Sequence, residues 1–290
     1  PLGVTLRDPP GVAYSRAMAL LPPTADANAR RLLIGRSLRA VADGFISIIL
    51  PAYLLGLGLD AFEVGVVSST TLFGSAALTL AVGFIVSRFG NRGPLLAAAG
   101  LMALTGLGFA GLHGFWPLLL IAFVGTINPS TGDVSVFLPI EQSLLTQSVG
   151  DRDRTAMFAR YGLAGSLLGA FGTLAAALPD LGARWFGVTP MAGMQALFVL
   201  YAIIGLLAAW FYRGIREPAR HERPKVQPLG PSRGIVYRMA ALFSVDAFAG
   251  GLLVQSLLAL WLFQTFGISV AAGDRKSTRL NSSHLGISYA

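Results

Sequence analysis

The chain contains no cysteine. Disulfides, thiol catalysis and thiolate metal sites are therefore excluded. Charge is scarce as well. Asp, Glu, Lys and Arg make up 12% of the 290 residues, about half the share found in a soluble domain. No His/Glu cluster or Ser/Lys pair falls at one depth, which argues against a membrane enzyme, and no cofactor or metal is expected. The phosphate-cradling pattern G-x-x-x-x-G-K-[ST] is missing, so no nucleotide-binding loop supplies ATP. The start shows no cleavable signal pattern, and none is needed when the first span itself directs insertion. Polar and apolar residues do not alternate in segments of about 10 residues, which excludes a membrane barrel.

What the chain has is apolar length. It is 54% hydrophobic with a mean hydropathy of +0.65. Several runs reach the roughly 20 residues that cross a bilayer. The expected fold is all-α: a polytopic transmembrane helical bundle with about seven spans present. A net charge of +8 invites a nucleic-acid reading. The arginines, however, lie between apolar runs and form no separate basic domain, so the expected partner is the lipid bilayer and not nucleic acid.

One stretch organises the rest. Leu38 to Leu59 reads LRAVADGFISIILPAYLLGLGL and carries Asp43 with Arg39 one turn before it. Residues at i and i+4 share a helix face, so the two can pair. An ionisable residue in a span is costly and usually faces a bundle interior or a wet cavity. The pattern returns as SVDAFAGGLLVQSLLALWLF, Ser244 to Phe263. Asp43 then aligns with Asp246, Phe45 with Phe248 and Leu50 with Leu253. Two similar spans that far apart suggest two related halves.

Residues 1–30 carry Pro9, Pro10, Pro22 and Pro23 without sustained periodicity and read as a disordered cytoplasmic N-terminus. Met18 is a plausible start, which would leave 1–17 upstream of it. Residues 31–212 read as a six-helix half. Its second span runs from about Val64 to Val86, after Asp60 and Glu63, and its third from Leu95 to Leu112. The fourth runs from Trp116 to Leu138, the fifth from Ala156 to Leu178 and the sixth from Met194 to Tyr212. Pro179 to Gly193 reads as a loop. Gly165, Gly169 and Gly172 form a small-residue stripe suited to close helix contact. Residues 213–236 form a basic, proline-rich linker, and 237–273 the first helix of a second half. In 274–290, DRKSTRLNSSH resembles a translated sequencing adapter and is set aside from the fold. Arg30, Arg31, Arg88, Arg92, Arg152, Arg154, Arg213, Arg216, Arg220, Arg223, Lys225 and Arg233 lie on one side; Arg184 lies alone on the other. The positive side is cytoplasmic, which places the N-terminus inside.

The turn after the second span reads GFIVSRFGNR, Gly83 to Arg92. It resembles the signature loop of the major facilitator superfamily, and Gly83, Arg88, Gly90 and Arg92 fit it. Ser87 stands where that family usually has Asp, and Asn91 replaces one basic residue. The resemblance covers about Arg31 to Gly267. It implies a twelve-span secondary transporter with two parallel-repeat halves, of which this chain holds the first half plus one span. It further implies gating roles for the signature residues, a small-molecule substrate, alternating access, and a bacterial inner-membrane protein that is monomeric at full length. No arginine lies in the fourth span and the fifth-span glycines lack the accompanying proline, so the drug–proton antiporter motifs are not met. The rival reading, a seven-helix receptor or sensor, rests on span count alone.

Asp43 and Asp246 are the leading substrate or proton-coupling candidates, with Arg39 beside the first. The competing account has Asp43 paired structurally with Arg39, or Arg39 snorkelling to the headgroups. Asn128 and Asp133 flank Pro129 and Gly132 in the fourth span, where a helix should kink and free backbone groups for a substrate. Glu141 and Arg160 sit at similar distances on either side of a loop centred near residue 150. Equal height predicts an ion pair between them, serving as an inner gate.

Overall fold

Asp26 opens the first helix. Its carboxylate accepts the Ala29 amide at 2.8 Å, and α1 runs from Ala27 to Gly56. The computed structural model describes residues 21–127, 135–216 and 233–251, with 258, 261, 262 and 265. Within these, α1 starts well before the expected Leu38. Residues 27–30, at the end of the stretch expected to be disordered, are therefore helical, and Arg31 and Arg36 lie inside α1. An N-cap carboxylate satisfies amides that a helix start leaves open, and it extends the helix beyond the apolar run.

Asp60 and Glu63 close a reciprocal capping box at the start of α2 (Ala61–Phe89), with bonds of 2.7 and 3.0 Å. The turn to α3 (Arg92–Gly111) needs only Gly90 and Asn91. Gly90 has φ 84° and ψ −174°, a region open only to glycine. This is the physical reason the signature turn carries glycine there.

The fourth expected span is two helices, α4 (Phe115–Val124) and α5 (Phe137–Gln147). The break begins at Gly125, earlier than the kink expected at Pro129. A 3₁₀ turn over Asp151–Asp153 leads into α6 (Arg154–Ala175). Part of the expected 179–193 loop is a short helix, α7 (Leu178–Phe186). Pro179 in its first turn and left-handed Gly187 at its end delimit it. Then come α8 (Pro190–Arg213), capped by Thr189, and α9 (Arg233–Gly251). The described residues include five stretches long and apolar enough to cross a membrane: α1, α2, α3, α6 with α7, and α8.

The centre of the bundle is α1. It packs on α6 and α8, α8 packs on α3, and α2 packs on α4. Small residues sit at the closest approaches. The Cα of Gly44 faces the backbone of Gly169 and Gly172, and Gly172 in turn faces Val41. A Cβ on Gly106 would lie 2.6 Å from the Phe198 carbonyl, and one on Gly205 2.9 Å from the Ala103 amide. Lipid tails are as apolar as leucine, so such backbone proximity drives helix association in membranes.

One end of the bundle is stitched by polar groups. Thr24 donates its hydroxyl to Asp153 at 2.7 Å, and the Asp26 amide bonds the Ser148 carbonyl at 3.1 Å. The Asn28 amide and the Arg216 backbone exchange bonds of 2.9 and 3.0 Å, while Arg31 donates to the Gly214 carbonyl. The start of α1 is thus tied both to the α5–α6 turn and to the end of α8.

Candidate functional site

Four elements bring charge together in the interior near this stitched end. Arg36, Arg39 and Asp43 recur at i, i+3 and i+7, which places them on one face of α1. Arg39 is 1% exposed and Glu141, on α5, is 0% exposed. They form an ion pair. Two phenols complete the carboxylate's shell: Tyr161 of α6 and Tyr212 of α8 each donate to Glu141. Tyr212 also accepts from Arg39 Nε at 3.1 Å, closing a ring of three side chains. The Arg39 guanidinium lies over Phe137, 3.9 Å from the ring centroid, and Arg36 lies over Tyr161 at 5.4 Å.

The packing glycines make this possible. A Cβ on Gly165 would lie 2.6 Å from Arg36 Nε, and Gly35 leaves room for the Tyr212 ring. The stripe on α6 therefore has two uses: Gly169 and Gly172 admit the α1 backbone, whereas Gly165 admits an arginine. Moving an ion pair out of water costs several kcal/mol per ion unless further hydrogen bonds compensate. Here three donors surround one carboxylate.

Two expectations are corrected. Glu141 is engaged by Arg39, Tyr161 and Tyr212, and not by Arg160. Arg39 is neither snorkelling nor paired with Asp43; it is buried and turned toward α5. Equal height on a hairpin sets depth only. Successive residues on a helix point about 100° apart, and the rotation of α6 presents Tyr161, one residue after Arg160, to the cluster. Tyr161, Tyr212, Phe137 and Arg36 were not anticipated as site members. The available signal was the phenols: a tyrosine within a span needs a partner for its hydroxyl.

Asp43 is different. It is partly buried, and among the described residues its side chain makes no hydrogen bond or ion pair. Asp246 is exposed on α9. Gly83 is exposed on α2, Gly90 forms the turn and Arg92 begins α3. The backbone of Arg88 is helical; its side chain, like Asn128 and Asp133, lies outside the described residues.

The arrangement can hold charge in a membrane interior, and its plan can be set against known proteins. The family model described as Major Facilitator Superfamily matches residues 32–280. The chain belongs to the Major Facilitator Superfamily. An uncharacterized membrane protein of Saccharomyces cerevisiae is 26% identical over 167 residues, 57% of this chain and 37% of that protein. The uncharacterized MFS-type transporter YcaD of Salmonella dublin is 29% identical over 142 residues, 48% of this chain and 36% of its own length. The chain thus spans just over a third of the curated relatives it matches. A structure solved to explain substrate recognition in proton dependent oligopeptide transporters superposes with a TM-score of 0.52 at 16% identity. That match covers 89% of this chain and 53% of the solved one, and shows a shared fold. Within the superfamily plan, the turn at Gly90 falls between the second and third spans.

Proposed function

We propose that this chain supplies the first half of a secondary transporter that moves a small solute by alternating access, with Asp43 as its proton-coupling carboxylate. The observation that carries the reading is the contrast on one face of α1. Glu141 and Arg39 compensate each other fully, whereas Asp43, one turn deeper than Arg39, has no bonded partner among the described residues. A carboxylate in a span that lies beside two arginines, yet is neither bonded to them nor fully buried, is placed to exchange a proton with a wet cavity. Family membership supports the transporter class and accounts for the span count on which the seven-helix sensor reading rested. The Arg39–Glu141 cluster serves as a fixed structural knot at the inner end of the half, in place of the Glu141–Arg160 gate. The distribution of arginines supports a cytoplasmic N-terminus in a bacterial inner membrane. The bilayer, a small solute and protons are the partners, and the working unit is a monomer.

Asp246 is proposed to take the equivalent place in the second half, and Asn128 and Asp133 to line the solute path. The signature residues Gly83, Arg88, Gly90 and Arg92 would serve the gate. The test is uptake into proteoliposomes by the protein extended to its relatives' full length. A solute panel that includes sugars, amino acids and oligopeptides would be run with and without an inward pH gradient. Gradient-driven uptake that Asp43→Asn uncouples is expected. Uptake that ignores the gradient, or a variant with unchanged pH dependence, refutes the coupling role.

A further inference from the structure

The start of α1 and the end of α8 enclose a cleft of about 540 Å³. Three arginines line it: Arg30 and Arg31 from α1, and Arg213 from α8. No acidic residue does among the described residues. Arg31 is pinned by its bond to the Gly214 carbonyl, and a Cβ on Gly214 would lie 2.7 Å from its Nε. The missing side chain of Gly214 is thus the seat of that guanidinium. The side chains of Arg30 and Arg213 make no hydrogen bond or ion pair among the described residues. The deeper wall is apolar. Ile34 lies one turn further along α1, and Trp210 and Phe211 precede Arg213 on α8. Trp210 is 67% exposed, and tryptophan concentrates where hydrocarbon meets headgroups.

A cationic rim above an apolar wall, at the end of two spanning helices, has the chemistry of a lipid with a charged head. Arginine forks match phosphate oxygens, and basic pockets between spanning helices take anionic headgroups. We propose that this cleft binds an anionic phospholipid, its phosphate among Arg30, Arg31 and Arg213 and an acyl chain along Ile34, Trp210 and Phe211. The site is separate from Asp43 and does not depend on the transport reading. Its lipid would bridge α1 and α8 close to where Asn28 already bonds the Arg216 backbone just after α8.

Native mass spectrometry of the full chain in mild detergent tests this, with phosphatidylglycerol and phosphatidylcholine of identical acyl chains as probes. One tightly held phosphatidylglycerol is expected, with phosphatidylcholine on the order of a hundredfold weaker, since three rim cations favour a head of net negative charge. Arg30→Gln with Arg213→Gln leaves the Arg31–Gly214 bond in place and should weaken phosphatidylglycerol binding about thirtyfold. Arg152→Gln with Arg184→Gln removes the same charge elsewhere and should change it less than about twofold. Equal retention of the two lipids overturns the proposal, as does an equal loss in the control pair. Displacement of the lipid by millimolar inorganic phosphate would reassign the cleft to a free anion and overturn it too.

Discussion

Glu141 and Asp43 are both carboxylates inside a membrane bundle, and they are treated in opposite ways. Glu141 receives a guanidinium and two phenols, and the guanidinium is itself held by Tyr212 and Phe137. Asp43 lies one turn beyond Arg39 on the same helix face and receives no bonded partner among the described residues. Glu141 is met by bonded donors, whereas Asp43 is met only through space, by Arg39 and Arg36 on the same face of α1. A closed cluster resists both protonation and movement, because any change of charge strands its partners in an apolar interior. An open carboxylate can change charge without breaking a bond. The difference separates a residue that holds the half together from one suited to chemistry.

The sharpest way to break this comparison is to strand one partner of the cluster. Glu141→Ala leaves Arg39 buried without its counter-ion and should destabilise the chain by about 3–5 kcal/mol. Thermal unfolding in detergent would read this as a large fall in midpoint or loss of the monodisperse species. A midpoint near the parent's would mean that water reaches the cluster.

A double-mutant cycle between Arg39→Gln and Glu141→Gln should show a coupling energy of at least about 1 kcal/mol, whereas Arg160→Gln and Glu141→Gln should add within about 0.5 kcal/mol. Additivity in the first cycle would dissolve the ion pair as an energetic unit. Tyr212→Phe removes one charge-assisted donor and should cost roughly 1.5–3 kcal/mol; a similar loss is expected from Tyr161→Phe, measured by the same unfolding.

Asp43→Asn should change stability by less than about 0.5 kcal/mol, as expected where no bonded network is broken. A loss comparable to that of Glu141→Ala would place Asp43 inside the structural cluster and remove the contrast. The same variant should still abolish the pH dependence of uptake.

Much of this organisation was legible in the residues. Apolar length alone gives five of the seven expected spans among the described residues, because a bilayer core demands about 20 residues whatever surrounds them. Pro129 and Gly132 mark the fourth span as interrupted, although the helix already ends at Val124, before the expected kink. Glycines at 165, 169 and 172 announce a close contact by their spacing. The signature loop from Gly83 to Arg92 leads to the superfamily because its turn requires particular residues in a short stretch.

Local pattern could not choose partners. Helix starts were misplaced where caps, not hydrophobicity, decide them: Asp26 carries α1 back to Ala27, and Pro179 and Gly187 delimit α7 within an expected loop. Sequence distance from the 150 loop gave Glu141 a depth but no bearing. Whether Arg160 or Tyr161 faces it depends on how α6 is rotated, and that rotation is set by Gly169 and Gly172 lying against Gly44 and Val41 of α1. Sequence therefore determined which charges enter the membrane and how far, because depth is counted along one helix. Only the tertiary structure decided which of them are neutralised, because azimuth is a property of helices packed against one another.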